Sequence, residues 1–229
     1  MGQPGHERKL AISILGSPSY LEGFTEFPSE SINYAECHDN HTLFDKNTLA
    51  AKLDVEKEWT EEDLKRAQKL AGGILLTSLG IPFIQLGQDF CRTKKFHPNS
   101  YNAPLDINGI DWKRKKQFWD VFEYYRGLIE LRKKHPAFRA YDPLEIRNKA
   151  KILRVQKLFV AVYYGEHLNG DPWKHIILLY NGSWESRSYH LPQGEWNIVV
   201  DDKKAGVETI GVISGNVKVS PISMMVLWR

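Results

Sequence analysis

Ile32-Asn33-Tyr34-Ala35-Glu36-Cys37-His38-Asp39-Asn40, followed by His41-Thr42-Leu43-Phe44-Asp45-Lys46, organises the whole reading of this chain. The run from Ile32 to Cys37 reads as a strand, and it stops at adjacent His, Asp and Asn. Parallel α/β folds carry their functional loops at the C-terminal ends of strands. A carboxylate, an imidazole and an amide set there suit the gripping of hydroxyl-rich ligands. The same His38 and Asp39 also fit a simple hydrogen-bonded pair that closes a loop.

Working outward, Thr60 before Glu61, Glu62 and Asp63 is a helix start of the capping-box kind. Leu64, Ala67, Leu70, Ala71, Ile74, Leu75 and Ser78 then recur at helical spacing, with Gly80 as the stop. Ile81 to Leu86 reads as a short apolar strand buried on both faces. Strand, helical connection and strand make a parallel crossover unit. After an Asn-, Asp- and Gly-rich stretch from His97 to Asp111, a helix is expected from Lys113 to Lys134. Phe118, Val121, Phe122, Tyr125, Leu128 and Ile129 share one of its faces, and it ends before His135-Pro136. Residues 1–30 read as loop or lead-in, with Met1-Gly2-Gln3-Pro4-Gly5 as an artificial leader. On periodicity alone these elements fit the end of a β/α barrel or a small three-layer α/β domain. From Phe138 onward, short β-rich runs separated by Gly, Asn, Asp and Pro turns indicate an antiparallel sandwich or Greek key.

Three ordered blocks carry a family resemblance. His38-Asp39-Asn40-x-Thr42-Leu43-x-Asp45-Lys46 resembles the fourth signature region of the α-amylase clan of glycoside hydrolases, in the form found in type I pullulanases, which debranch α-1,6-glucans. Gly80-Ile81-Pro82-Phe83-Ile84-Gln85-Leu86-Gly87-Gln88-Asp89-Phe90 with Arg92-Thr93-Lys94 resembles the last barrel strand of that subfamily. Asn99-Ser100-Tyr101-Asn102 and Asp106-x-Asn108-x-x-Asp111-Trp112 resemble the loop after it. The resemblance implies the C-terminal portion of a (β/α)8 barrel over residues 1–137 and an antiparallel β-sandwich domain over residues 138–229.

It also implies a chemistry and its distribution. A retaining α-glucosidase uses two carboxyl groups roughly 5–5.5 Å apart. In the resembled family both lie upstream of the His-Asp-Asn block. Only about thirty residues precede Ser31, against roughly 250 for a whole barrel. The chain is therefore expected to be the C-terminal fragment of a larger enzyme and inactive alone. Asp39 is the expected third catalytic carboxylate, holding substrate hydroxyls as an oxocarbenium-like transition state forms. His38 would donate to the same sugar and Asn40 would orient the pair or line the pocket. Asn99 and Tyr101 are expected sugar contacts, Asp106 lies near the substrate, and Trp112 packs.

Within those blocks, Arg92 and Lys94 are expected in structural ion pairs. Asp106 and Asn108 equally suit turn chemistry. Two positions depart from the subfamily pattern: Asp89 stands where Glu is usual, and Phe44 where Trp is common. Isoamylase-like or amylase-like enzymes remain as alternatives, as does a non-catalytic glucan-binding or structural fragment.

The 229 residues, 42% hydrophobic and 12% aromatic, suffice for one large or two modest cores. A net charge of +3 argues against nucleic acid as a partner. The runs Lys113-Arg114-Lys115-Lys116 and Arg132-Lys133-Lys134 read as solvated helix ends. Cys37 and Cys91 have neither disulfide-scaffold nor metal spacing, and no ligand cluster demands a metal or cofactor. No apolar stretch approaches a membrane span. Trp173, Trp184, Trp196 and Trp228 read as core before they read as a starch-binding platform. The expected partner is an α-glucan, and exposed barrel edges would let the fragment self-associate.

Overall fold

The computed structural model describes residues 4–55 and 57–229, so Met1, Gly2 and Gln3 of the leader-like stretch lie outside the described residues. Helices α1 (Glu7–Ile14), α2 (Leu43–Leu53), α3 (Glu61–Thr77), α4 (Leu105–Asn108), α5 (Lys113–Gln117), α6 (Trp119–Lys134) and α7 (Pro143–Lys149) occupy mainly the first two thirds. Strands β1 (Ile32–Asn33) and β2 (Ile81–Pro82) lie among them. They are followed by β3 (Ala150–Gln156), β4 (Phe159–Gly165), β5 (His175–Asn181), β6 (Arg187–His190), β7 (Trp196–Val200), β8 (Gly211–Ile213), β9 (Asn216–Val219) and β10 (Ser223–Trp228).

β1 and β2 pair in parallel, Ile32 opposite Ile81 and Asn33 opposite Pro82. The crossover is therefore present, but each strand is far shorter than the expected six residues. Nor is the run from Ile81 to Leu86 buried on both faces: Ile81, Phe83 and Leu86 are exposed. Each strand has one partner among the described residues, so neither ladder nor packing extends it. The pair is held from below by Asn33, whose Nδ2 donates to the Leu79 carbonyl at 2.7 Å and whose Oδ1 accepts from Ser31 Oγ at 2.9 Å.

α3 begins as its sequence dictates. Thr60 Oγ1 accepts from the Asp63 N–H at 3.2 Å, and Asp63 Oδ2 accepts from the Thr60 N–H at 3.0 Å. At the other end, the carbonyls of Leu76, Ser78 and Gly80 accept from the Arg132 guanidinium at 3.0, 2.7 and 2.7 Å. A cation at a helix C-terminus satisfies orphan carbonyls and complements the dipole. Arg132 is thus buried inside a run read as solvated, and burial pushes its guanidinium down to about 10.

The expected helix from Lys113 to Lys134 is broken at Phe118 (φ −106°, ψ 41°) into α5 and α6. Its buried stripe is Val121, Tyr124, Tyr125, Leu128 and Leu131, while Ile129 is exposed. The stripe is turned because α6 is covered from two sides, by α3 and by the segment around Ala205. Residues 1–30 are not simply lead-in either. α1 buries Ala11 and Ile14 in the main core, and Glu7 Oε1 accepts from the Leu158 N–H at 2.8 Å.

β3-β4-β5-β10-β7-β8 form one antiparallel sheet, and β6 pairs antiparallel with β9 in a second. Alternation along the strands divides the side chains between two cores. Val160, Val162, Tyr164, Ile176, Leu178, Met224 and Val226 pack toward the helices. Phe159, Ala161, Ile177, Leu179, Met225 and Leu227 pack toward Tyr189, Val217 and Val219 of the small sheet. With both faces covered, β4, β5 and β10 read as unbroken apolar runs.

The helix-facing core continues across residue 138. Tyr180 Oη lies 2.6 Å from Thr77 Oγ1, and Tyr164 Oη donates to the carbonyls of Ile14 and Thr77. Two adjacent glycines set the approach of α3. A Cβ on Gly73 would lie 2.0 Å from Met224 Sδ on β10, and one on Gly72 would lie 2.3 Å from Tyr125 Cζ on α6. Among the described residues, no helix is long and apolar enough to cross a membrane.

Candidate active site

The segment after β1 leaves the strand at Tyr34 and delivers His38, Asp39 and Asn40 to solvent. His38 Nδ1 lies 3.1 Å from Asp39 Oδ1, with the side chains 80% and 68% exposed. Asn40 takes a left-handed backbone (φ 60°), which Asn tolerates better than most residues. The loop turns back at once into α2, whose N-cap Thr42 accepts from the Asp45 N–H at 3.1 Å.

Buried charges underpin this exposed tip. Asp45, fully buried, accepts from Thr93 Oγ1 and, through Oδ2, from the N–H groups of Lys94 (2.8 Å) and Phe96 (3.3 Å). Lys94, also buried, sends its ammonium to the His38 carbonyl at 2.9 Å. Burial and the neighbouring Arg92 push that ammonium down, while Asp45, Asp39 and Glu36 act to hold it charged. Glu36 Oε2 accepts from the Leu43 N–H and closes the loop at its base, while Glu36 Oε1 is buried without a partner. Burial pushes the Glu36 carboxyl up to about 7, against the opposing pull of the Leu43 N–H, Arg92 and Lys94.

The loop from Asn99 to Trp112 is organised by turn chemistry. Asn108 Nδ2 donates to the carbonyls of Ser100 and Ala103, and the Asn108 carbonyl accepts from Arg92 Nη2 at 2.7 Å. Arg92 therefore serves a backbone carbonyl where an ion pair was expected. Asp106 is exposed and pairs with Lys95 at 3.0 Å. Trp112 lies tilted over Phe90, ring centres 5.7 Å apart, yet stays 60% exposed. Asn99 and Tyr101 are exposed. The geometry joins His38, Asp39 and Lys94 into one unit; Asn99, Tyr101 and Asp106 lie on a neighbouring loop without a hydrogen bond to it.

The departing positions have local explanations. Phe44 packs edge-on to Phe118 at 5.5 Å, with the Arg114 guanidinium stacked on both rings. Asp89 has no ion pair among the described residues, and burial pushes its carboxyl up. Cys91 is fully buried, and burial pushes its thiol up, while Cys37 is half-buried. The four tryptophans of the β-rich part are packed: Trp173 stacks between His135 and Trp228, Trp196 is fully buried, and Trp184 meets Trp59 edge-on at 4.9 Å. Among the described residues, no group of three or more His, Cys, Asp or Glu is placed to hold a metal.

What this arrangement can do is bounded by its chemistry. An imidazole and a carboxylate, side by side and open to water, can hold a hydroxyl-bearing ligand through paired donor and acceptor. A rigid base of buried charges keeps them in place. Asp45, Glu36 and the Lys94–His38 contact were not assigned from sequence; the Asp45-Lys46 and Arg92-Thr93-Lys94 blocks of the family resemblance were the available signal.

Comparison with known proteins gives a consistent picture. The family model described as pullulanase, all-beta domain, matches residues 146–204. A pullulanase of Bacillus subtilis is 36% identical over 231 aligned residues, covering 100% of this chain and 31% of that protein. The solved pullulanase of Bacillus acidopullulyticus superposes with a TM-score of 0.93 at 38% identity, covering 100% of this chain and 27% of that one. The pullulanase of Paenibacillus barengoltzii, solved in complex with maltohexaose and α-cyclodextrin, gives 0.88 at 35% identity over 99% of this chain and 34% of that one. The chain spans about a third of the length of these relatives.

Proposed function

We propose, for a chain that is homologous to the pullulanases along its whole length and fits the C-terminal part of a type I enzyme, that its parent is a retaining α-glucan hydrolase acting on α-1,6 branches. Pullulan, glycogen and limit dextrin are the substrates of that reading. Asp39 is the carboxylate that holds substrate hydroxyls while positive charge develops at the anomeric carbon, where bonds to the 2-OH strengthen. His38 donates to the same sugar, and Asn40, Asn99, Tyr101 and Asp106 line the approach. The single observation that carries this is the exposed His38–Asp39 pair, 3.1 Å apart, raised on buried Asp45 and Lys94 at the end of a parallel strand pair.

The parallel pairing of β1 and β2, and the exposed apolar side chains along it, support their assignment as the closing strands of a (β/α)8 barrel. A groove of about 410 Å³ beside β1, lined by Leu10, Phe24, Ile32, Tyr34 and Ile74, suits the docking of a further barrel unit. On this reading residues 1–137 close the barrel and residues 138–229 form the β-domain behind it. The site contributes a stabilising carboxylate, not the nucleophile and acid pair. Purified alone, the chain should release no reducing sugar from pullulan. Joined in place of the corresponding C-terminal segment of the Bacillus subtilis relative, it should support hydrolysis. Turnover by the chain alone, or a folded hybrid with none, would refute the reading.

A further inference from the structure

Lys94 is buried at a cost its visible partner does not offset. An ammonium taken out of water loses more than one hydrogen bond to a neutral carbonyl returns, yet Lys94 is 2% exposed and donates to the His38 carbonyl at 2.9 Å. Its own backbone is fixed from beneath: Asp45 Oδ2 accepts the Lys94 N–H at 2.8 Å, and Asp45 Oδ1 accepts from Thr93. The charged groups facing the ammonium are Asp45, Asp39 and Glu36, which attract it, and Arg92, which repels it. A methionine would fill similar space without that cost.

The carbonyl it grips is informative. The His38 C=O and the Asp39 N–H belong to one planar peptide unit. Pinning the oxygen fixes that plane, and with it the place of the Asp39 Cα from which the side chain leaves the backbone. Among the described residues, the other contacts at this pair are the exposed His38–Asp39 side-chain pairing and a long one of 4.0 Å from Cys37 Sγ to the Asp39 carbonyl.

We propose that Lys94 is a positioning residue for Asp39, holding the His38–Asp39 peptide plane so that the carboxylate meets the sugar in reactive alignment. This rests on the reading of Asp39 as the transition-state carboxylate. Misplacement on the scale of an ångström costs on the order of 100-fold in rate. In the hybrid enzyme acting on pullulan, Lys94→Met should lower kcat on the order of 100-fold with KM little changed. Its melting temperature should be equal or higher, because a buried charge is gone. Lys94→Arg, which keeps a charged donor, should recover part of the loss.

The same substitution can be read in the chain alone, where Lys94→Met should move the backbone amide chemical shifts of Asp39 and Asn40, whose preceding carbonyl or peptide plane loses its ammonium contact, and leave those of β4, β5 and β10 unchanged. Near-native kcat in Lys94→Met, while Asp39→Asn is inactive, overturns the positioning role and leaves the function of Asp39 intact. Near-native turnover in Asp39→Asn removes the premise itself. Unaltered amide chemical shifts at Asp39 and Asn40 overturn the proposal even where no hybrid folds.

Discussion

Gly72→Ala isolates the contact that sets the distance between α3 and α6. The new methyl carbon would lie 2.3 Å from Tyr125 Cζ and 2.7 Å from each of its Cε atoms. A comfortable carbon–carbon contact is about 3.5 Å, so roughly 1.2 Å must be found. The ring cannot turn away at low cost. Tyr125 is fully buried, its hydroxyl donates to the Gln68 carbonyl at 3.0 Å, and it accepts from Gln88 Nε2 at 3.2 Å. Overpacking costs about 1–3 kcal/mol and each strained hydrogen bond about 1. Alanine returns about 1 kcal/mol over glycine in a helix. The net expectation is a loss of about 3 kcal/mol, or about 6–12 °C in melting temperature for a chain of this size. In a Tyr125→Leu background the obstructing ring atoms are gone, and Gly72→Ala should then stabilise by about 1 kcal/mol. Thermal melts of the four proteins read the cycle. A Gly72→Ala chain that melts no lower than its parent would refute this packing argument.

Glu36 supplies a pH test with a defined sign. Its folded carboxyl holds a proton to about pH 7, against 4.5 for the ordinary group, because of burial. The stability it contributes is present below pH 4.5 and is lost as pH rises through 7, by about 3 kcal/mol at most. Glu36→Gln should match the parent in denaturant midpoint at pH 4.5 and exceed it at pH 8; equal midpoints at pH 8 would remove the argument. The exposed strand pair supplies another: the chain should associate beyond its 26.4 kDa monomer, and Ile32→Lys should reduce the association. Light scattering that shows a monomer, with slow amide exchange from Ser31 through Phe90, would count against open barrel edges.

The sequence was most legible where one local cause acts alone. Thr60 and Asp63 cap α3 because their side chains reach each other's N–H groups with no help from elsewhere. The β-rich character of the chain after Phe138 was legible because both faces of the main sheet are covered and its apolar runs are unbroken. α1 was missed: its N-cap, His6, makes no side-chain cap bond, and its burial comes from the distant β3–β4 hairpin. Arg132 was misread because only the folded chain brings it to the carbonyls of α3. At the site, His38 and Asp39 were recognisable as residue types. Their support by Lys94 was not, since that contact spans 56 positions and ends on a backbone atom.

The most direct test of the account is the kinetics of Asp39→Asn in the hybrid enzyme on pullulan. Asparagine keeps the size of the side chain and removes its charge, so binding of the ground state should survive while transition-state stabilisation is lost. The account predicts that kcat and kcat/KM fall together by orders of magnitude in a protein that melts like its parent. Turnover within a few-fold of the parent would return His38 and Asp39 to a hydrogen-bonded pair that closes a loop.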